Sequence, residues 1–110
     1  MQEIVIGMDI GTGSTKAVAL DKYMQVIAAT QSYYYSHSSK PGYAEQDPEV
    51  IWKAFSVCLQ EMIKKIKRIS FSVSISSAMH SLIAIDKDNV PLTPVITWED
   101  TRSEHIAKAL

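Results

Sequence analysis

The sequence predicts an α/β fold in which a mixed β-sheet is covered by helices. Short runs of β-branched and small apolar residues recur near the N-terminus. A long stretch with apolar residues at helical spacing follows them, and further short strands follow that helix. The length of 110 residues suits one small domain or part of one, and is short for an enzyme that must enclose two substrates.

Three strands open the chain in this interpretation. They are predicted at residues 4–8, 15–20 and 26–30, and the tyrosines at 33–35 extend the third. The first run is apolar throughout, so we interpret it as a strand buried on both faces. Residues 9–14 are polar and glycine-rich and predict a tight turn. Residues 21–25 predict a hairpin, although they lack the glycine that commonly eases such turns.

A helix is predicted to follow and to end near Lys67. Asp47 is a good N-cap, Pro48 suits the first helical turn, and Glu49 complements the positive end of the helix dipole. The apolar residues that recur at helical spacing are Ile51, Phe55, Cys58, Leu59, Met62, Ile63 and Ile66. This pattern predicts a helix that covers the sheet with one face.

The remainder of the chain alternates between short strands and turns. Residues 69–76 alternate apolar residues with serines, the period of a half-buried strand. Another apolar run at 82–85 precedes a turn at 86–90 and a last strand at 94–98. Residues 103–110 begin a helix that stops without a cap, glycine or proline, so we expect the end to be a cut in a longer chain.

Composition narrows the classes of partner. A net charge of −1 gives no electrostatic reason to expect nucleic acid or an anionic membrane. No apolar run approaches the roughly 20 residues that cross a bilayer, and Glu3 enters a strand at once, unlike a signal peptide. The single cysteine, Cys58, lies in the apolar stripe of the helix and is expected to be buried. A reducing cytoplasm is the expected location.

The turn after the first strand carries the sharpest chemical signal. We name residues 9–16 the phosphate loop. Gly11 and Gly13 let the backbone approach a ligand closely, and successive N–H groups in such a turn form a concave anion site. The loop also offers side chains that can contact an anion, three hydroxyl donors and one cation, namely Thr12, Ser14, Thr15 and Lys16. Asp9 ends the strand, where a carboxylate can hold Mg²⁺ directly or through water. The alternative is a plain hairpin whose glycines and hydroxyls serve only the turn.

The order of elements agrees with this interpretation of the loop. Three meandering strands, a helix and further strands, with a glycine-rich loop in the first turn, fit the N-terminal portion of an RNase H-like, actin/hexokinase-type ATPase domain. A Walker-type domain does not fit, because its motif is absent and this loop leads into a strand instead of a helix.

Four segments together resemble the FGGY family of carbohydrate kinases. The first is Met-Asp-Ile-Gly-Thr-Gly-Ser-Thr-Lys at 8–16, which resembles the family's opening phosphate motif. The others follow in the family's order: Gly-Tyr-Ala-Glu-Gln-Asp-Pro-Glu at 42–49, Ser-Ser-Ala-Met-His-Ser at 76–81, and Pro-Leu-Thr-Pro at 91–94 leading to Trp-Glu-Asp-Thr-Arg at 98–102. The resemblance covers essentially the whole chain as the N-terminal part of the first kinase domain, and segment 76–86 is most like the gluconate-phosphorylating members.

The resemblance implies a reaction and a set of site residues. The reaction is transfer of the γ-phosphoryl group of ATP to a sugar hydroxyl, with Mg²⁺, and with gluconate or another sugar as the partner. Asp9 would lie near the metal, while Gly11, Thr12, Gly13, Ser14 and Lys16 would line the ATP phosphates. The implied substrate residues are Met79, His80, Trp98, Asp100 and Arg102. The family's general base is an aspartate beyond Leu110, so no catalytic residue is assigned and the chain alone is expected to be inactive.

One departure from the family affects the phosphate loop. Gly13 stands where many relatives carry a hydroxyl residue. One side-chain contact to the terminal phosphate is therefore expected to be missing.

Each implied substrate residue also has a purely structural interpretation. His80 could be a structural histidine, Met79 core filling, Trp98 a core aromatic, and Asp100 with Arg102 a surface ion pair.

Alternatives also exist for the whole protein. It could act on xylulose or another polyol, be an actin-like ATPase, or be a non-catalytic nucleotide-binding module. Segments 79–80 and 98–102 argue against the ATPase, which has no sugar to contact. The expected free strand edge is compatible with self-association, and a homodimer of the full-length protein is one expectation.

Overall fold

The computed structural model describes residues 3–67 and 70–110. Its elements are β1 (Val5–Ile10), β2 (Ser14–Leu20), β3 (Val26–Tyr33), β4 (Glu45–Gln46), α1 (Pro48–Ile66), β5 (Ser72–Ser77), β6 (Val95–Ile96) and α2 (Glu104–Ala109). A four-stranded sheet has the order β3-β2-β1-β5, and β4 pairs with β6 in a small second sheet. Strand β1 is antiparallel to β2 and parallel to β5, which confirms the predicted mixed sheet.

Helix α1 covers one face of the four-stranded sheet and builds the core there. The buried side chains of this covered face are Ile4, Ile6, Met8, Ala17 and Ala19, with Cys58, Met62 and Ile66 of α1 packed on them. The other face, which we call the open face, has no such cover among the described residues. Val5 on that face is 44% exposed, so the prediction that the first strand is buried on both faces is wrong. The apolar run supplied the right strand, but α1 packs on one side only.

The predicted boundaries of α1 are confirmed. The Asp47 side chain caps the helix by accepting a hydrogen bond of 2.9 Å from the Glu49 N–H, and Pro48 occupies the first turn. At the other end Lys67 adopts a left-handed conformation with φ of 52°, and its N–H donates to the Ile63 carbonyl. Such a cap satisfies one of the carbonyls that the last helical turn leaves free.

The β2–β3 hairpin forms without glycine. Met24 takes the left-handed conformation instead, with φ of 64°. The Asp21 carboxylate accepts hydrogen bonds from the N–H groups of Tyr23 (2.8 Å) and Gln25 (3.0 Å). An aspartate that bonds its own turn in this way replaces the backbone freedom that a glycine would supply.

The region after α1 is less regular than predicted. The predicted strand at 69–76 begins at Ile69, outside the described residues, and its described part forms a strand from Ser72 onward, as β5. All residues of β5 are exposed, so the half-burial that the alternation predicted is wrong for the described chain, because no described element packs on either side of this edge strand as α1 packs on β1 and β2. The apolar run at 82–85 forms only isolated bridges, and the last strand is limited to Val95–Ile96. The turn at 86–90 is confirmed, with Asn89 at a φ of 62°. None of the described helices combines the length and apolar character that crossing a membrane requires.

Candidate functional site

A row of polar side chains crosses the open face of the sheet. Asp9 lies opposite Lys16 on β2 and beside Ser76 on β5, and Lys16 lies opposite Gln31 on β3. The Ser76 hydroxyl donates to Asp9 Oδ1 at 3.1 Å, and Gln31 Nε2 donates to Ser14 Oγ at 2.9 Å. Side chains two residues apart on a strand share a face, so Ser14 and Lys16 lie on the same side as Asp9. The register therefore brings three predicted phosphate-loop residues together.

Thr15 is the exception among the predicted phosphate-loop residues. It is one residue out of step with Ser14 and Lys16, and its side chain is fully buried on the covered face. Its hydroxyl lies 3.4 Å from the Tyr34 hydroxyl, and its carbonyl accepts from Cys58 Sγ at 3.5 Å. The prediction for Thr15 is corrected here, because a step of one residue along a strand reverses the face and turns this side chain into the core.

The turn of the phosphate loop is closed by a hydrogen bond of 2.9 Å from the Gly11 N–H to the Ser14 carbonyl. A Cβ at residue 11 would lie 3.2 Å from that carbonyl oxygen, so the tight turn favours glycine there. A Cβ at Gly13 would meet nothing within 4 Å. Trp98 Nε1 donates to Thr12 Oγ1 at 3.0 Å, which links the loop to the predicted substrate residues.

An open depression of about 390 Å³ joins the two predicted halves of the site. Its lining residues are Asp9, Gly11, Thr12, Ser77, Ala78, Met79, His80 and Trp98. The Ala78 N–H donates to the Ile10 carbonyl at 2.8 Å, which holds the ends of β5 and β1 side by side. The carboxyl ends of parallel strands are where open α/β sheets generally bind ligands. The depression therefore lies where a ligand could contact both the phosphate loop and the segment after β5.

The three predicted substrate residues in this depression are accessible. Met79 is 70% exposed and Trp98 is 57% exposed, so neither fills the core of the described chain. His80 has a left-handed φ of 62°, a conformation that costs free energy in any residue other than glycine. Strained residues of this kind cluster at functional sites. The structure thus places Met79, His80 and Trp98 together at the depression, as the resemblance predicted their proximity.

Asp100 and Arg102 lie elsewhere, in a structural cluster. The Asp100 carboxylate accepts hydrogen bonds from the Ala44 N–H (2.8 Å), from Arg102 Nε (2.9 Å) and from Arg102 Nη2 (2.7 Å). Arg102 also pairs with Glu45 at 3.0 Å and stacks 3.8 Å above the Tyr43 ring centroid. The hydrogen bonds from Arg102 hold the pKa of Asp100 well below its ordinary value. Neither residue lines the depression, so the structure does not bring them together with Met79, His80 and Trp98.

The donor set fits a magnesium ion that is shared with a phosphate ligand. Asp9 is exposed at the depression, with Oδ1 receiving the Ser76 hydroxyl. Within residues 3–67 and 70–110 no group of three or more His, Cys, Asp or Glu side chains could hold a metal ion. Mg²⁺ typically keeps several waters and takes one or two carboxylates plus phosphate oxygens, so a single carboxylate is compatible with it. A cage built only of protein ligands is not compatible with this arrangement.

Sequence reasoning missed two residues that contact the phosphate loop. The Tyr34 hydroxyl donates to the Gly11 carbonyl at 2.6 Å, and Gln46 Nε2 donates to the Thr12 carbonyl. The strand period gave a usable signal for Tyr34, because only the middle one of three consecutive tyrosines points inward. Gln46 lies in the family-like segment at 42–49, which was the available signal, because a strand of two residues has no measurable period.

Comparison with known proteins gives consistent matches. Residues 4–110 match the family profile of the FGGY family of carbohydrate kinases, N-terminal domain. A gluconokinase of Bacillus subtilis (strain 168) is 45% identical over 106 residues, which are 94% of this chain and 20% of that protein. A xylulose kinase of Staphylococcus epidermidis is 33% identical over 106 residues, 94% of this chain and 21% of that protein.

A solved structure agrees with the sequence matches. The crystal structure of gluconate kinase from Lactobacillus acidophilus superimposes with a TM-score of 0.90 and 33% identity, over 99% of this chain and 22% of that one. The chain thus spans about a fifth of the length of these relatives.

Proposed function

The chain belongs to the FGGY family of carbohydrate kinases, and on that premise we propose that the intact protein transfers the γ-phosphoryl group of ATP to a hydroxyl of gluconate. The fold is the predicted RNase H-like, actin-type one, shared with sugar kinases of this family. The observation that carries the proposal is the depression in which Asp9 and Thr12 of the phosphate loop face Met79, His80 and Trp98.

The phosphate end of the depression suits the terminal phosphates of ATP. Backbone N–H groups of the loop can donate to phosphate oxygens, and Lys16 on the open face adds a positive charge. Mg²⁺ beside Asp9 would neutralise part of the phosphate charge. Such sites act mainly by positioning the reactants and stabilising charge, which a rigid strand end and a closed turn can provide.

The sugar end offers one apolar surface and one polar group. Trp98 Nε1 is engaged by Thr12, so the indole ring is held in place while more than half of the residue is exposed. An apolar ring face of this kind packs against the C–H side of a sugar. His80 is placed to hydrogen-bond a sugar hydroxyl. We do not assign Asp100 or Arg102 to the substrate, because their charges are satisfied by each other.

The general base is proposed to lie outside this chain. Asp9 is the best-placed carboxylate of the depression, but it lies at the phosphate end and already accepts a hydrogen bond from Ser76. A carboxylate beside the transferred phosphoryl group serves the metal better than it serves the attacking hydroxyl. We propose that the base and the adenine-binding domain follow Leu110 in the intact protein.

Gluconate is favoured over xylulose by sequence identity. The identity is 45% to the gluconokinase of Bacillus subtilis and 33% to the xylulose kinase of Staphylococcus epidermidis. Xylulose is the second candidate substrate, because each of the two relatives matches 94% of the chain.

The test is ADP release by the intact protein with MgATP and gluconate, xylulose, glycerol or no sugar. Gluconate-dependent release is the expected result, and xylulose-dependent release would select the second candidate. Release without sugar would favour an ATPase, and nucleotide binding without release would favour a binding module.

Two tryptophan variants make the test site-specific. Trp98→Phe removes the hydrogen bond to Thr12 and is expected to raise the KM for the sugar. Trp52→Phe is the matched control, because Trp52 is similarly exposed but lies on α1 and stacks on Phe55 away from the depression. Equal kinetics of the two variants would contradict the placement of the sugar at Trp98.

A further inference from the structure

Three consecutive carbonyl groups of the phosphate loop accept hydrogen bonds from two buried residues, Tyr34 and Gln46. The Tyr34 hydroxyl donates to the Gly11 carbonyl at 2.6 Å, and the Tyr34 backbone N–H donates to the Gly13 carbonyl at 3.1 Å. Gln46 Nε2 donates to the Thr12 carbonyl between them. Tyr34 and Gln46 are each 4% exposed, so these contacts are largely shielded from water. Two buried residues therefore fix the orientation of three peptide groups.

The orientation of a peptide carbonyl also fixes the orientation of the N–H that follows it. A trans peptide is planar, and its C=O and N–H point in opposite directions. The described residues contain no cis peptide bond. With the carbonyls of Gly11 and Thr12 drawn towards Tyr34 and Gln46, the N–H groups of Thr12 and Gly13 point away from them. In the part of the chain that the structure describes, neither N–H group has a hydrogen-bond acceptor.

The backbone that carries these two N–H groups borders open space that a ligand can reach. Gly11 and Thr12 line the depression, and the space beside Gly13 is open. Two adjacent N–H groups without acceptors in a turn of this kind can form a nest for an anion. A nest is effective only if its donors are held in place before the ligand arrives, because ordering them on binding costs free energy.

We propose that Tyr34 and Gln46 are positioning residues that aim the Thr12 and Gly13 N–H groups at phosphate oxygens of the nucleotide. The inference rests on the proposed function, since it takes the ligand of the loop to be a nucleoside triphosphate. The two residues act from different elements. Tyr34 directly follows β3, and Gln46 belongs to β4, which pairs with β6 and precedes the cap of α1.

The buried surroundings keep the tyrosine in its donating form. Burial raises the pKa of Tyr34 above its ordinary value, so the hydroxyl stays protonated across the physiological pH range. Its donation to the Gly11 carbonyl is therefore constant under assay conditions. The Thr15 hydroxyl lies 3.4 Å from the phenolic oxygen of Tyr34 and helps to hold that oxygen in place.

The experiment compares Tyr34→Phe with Tyr33→Phe in the intact protein. Tyr34→Phe removes the bond to Gly11 and leaves the backbone bond to Gly13. Tyr33→Phe is the matched control, because Tyr33 is 70% exposed and its hydroxyl has no partner among the described residues. We expect Tyr34→Phe to raise the KM for MgATP about tenfold, the usual effect of one lost hydrogen bond, and to leave the KM for the sugar unchanged.

Gln46→Glu supplies a second, independent variant. It keeps the size of the side chain but replaces the donating amide with an acceptor, which repels the Thr12 carbonyl. We expect a larger increase in the KM for MgATP than for Tyr34→Phe, again without a change for the sugar. If Tyr34→Phe fails to fold, the KM of Gln46→Glu for MgATP tests the proposal by itself.

A merely structural role would give a different pattern. It would lower the melting temperature and the fraction of active protein, while the active fraction kept the wild-type KM for MgATP; that result would overturn the proposal. Calorimetric titration with MgATP separates this inference from the proposed function. If the wild type binds MgATP but phosphorylates no sugar, the proposed function fails while the affinities of the variants still decide the role of Tyr34. If the wild type does not bind MgATP, both are overturned.

Discussion

The two faces of the four-stranded sheet are built from the same strands but differ in burial and polarity. On the covered face Ile6, Met8 and Ala17 are almost fully buried under α1. On the open face the neighbouring positions Asp9 and Lys16 are exposed and polar. The strand period of two separates the two sets, so a single short segment supplies both the core and the candidate phosphate site.

The difference teaches how a tight ligand loop can be kept rigid. The covered face anchors β1 and β2 on both sides of the phosphate loop, so the loop between them spans fixed ends. The loop is short, and hydrogen bonds from Tyr34 and Gln46 hold three of its carbonyl groups. The core and the proposed ligand contacts thus lie on opposite sides of the same strands, so mutations should affect stability and ligand binding separately.

The largest effect on stability is expected for Met62→Ala. Met62 is fully buried beneath the sheet, and its truncation leaves a cavity, so we expect a loss of about 2–5 kcal/mol in the free energy of unfolding. Ile63→Ala, one residue on and partly exposed, is the control and should cost less. Urea denaturation followed by fluorescence measures both. Equal losses would show that the covered face is not the core, and the KM for MgATP should not change in either variant.

The converse effect is expected for Asp9→Asn. Asparagine keeps an oxygen for the Ser76 hydroxyl but removes the charge, so stability should be nearly unchanged while phosphoryl transfer by the intact protein falls roughly 100-fold or more. Asp88→Asn in the exposed turn at 86–90 is the control. Steady-state kinetics and a melting curve measure the two properties. A large drop in melting temperature with an unchanged turnover would contradict the division between the faces.

Asp100 sharpens the comparison, because it is a charged residue that serves structure. Its pKa is lowered in the folded state by the hydrogen bonds from Arg102, so its ionised form stabilises the fold above the ordinary carboxyl pKa of about 4. That contribution is lost as the pH falls below about 4 towards the lowered value. We expect Asp100→Asn to melt earlier than the wild type at pH 7, with the gap narrowing in acid. A gap that is independent of pH would contradict the ion-pair account.

The smallest effect is expected at the β2–β3 hairpin, remote from the site. Met24→Gly relieves the left-handed conformation of an exposed side chain, and we expect a gain of at most about 1 kcal/mol in unfolding free energy. Tyr23→Gly, at an exposed position without positive φ, should instead destabilise the protein. Thermal melts of the two variants check the signs. The same sign for both would refute the strain at Met24.

The sequence predicted the order of elements along the chain, the capped helix and the tight turn at 9–14 because these depend on local patterns. The period of β-branched residues marks strands, and Asp47 with Pro48 marks a helix start wherever the chain folds. The side of each strand that α1 would cover was not predictable in the same way. It depends on packing between distant segments, which is why the first strand was expected to be buried on both faces.

The site was predictable to a similar degree. Asp9, His80 and Trp98 lie together as the motifs suggested, whereas Asp100, which the resemblance placed at the substrate, pairs with Arg102 and does not line the depression. A motif gives the spacing of charged residues along the chain, but it does not show which of them form ion pairs with one another. The role of Gln46 depends on a contact across 34 positions, for which the sequence carries no local signal.

The central claim is that the phosphate loop, at the end of the open face, binds the nucleotide phosphates. Hydrogen–deuterium exchange of the intact protein with and without MgADP tests it most directly. We predict slowed exchange in peptides that cover 11–14 and 77–80, with no change at the hairpin 21–25. A second cavity of about 530 Å³ between the start of α1 and residues 91–94 is the natural competitor. Protection confined to the borders of that cavity, with unchanged exchange in the phosphate loop, would contradict the account.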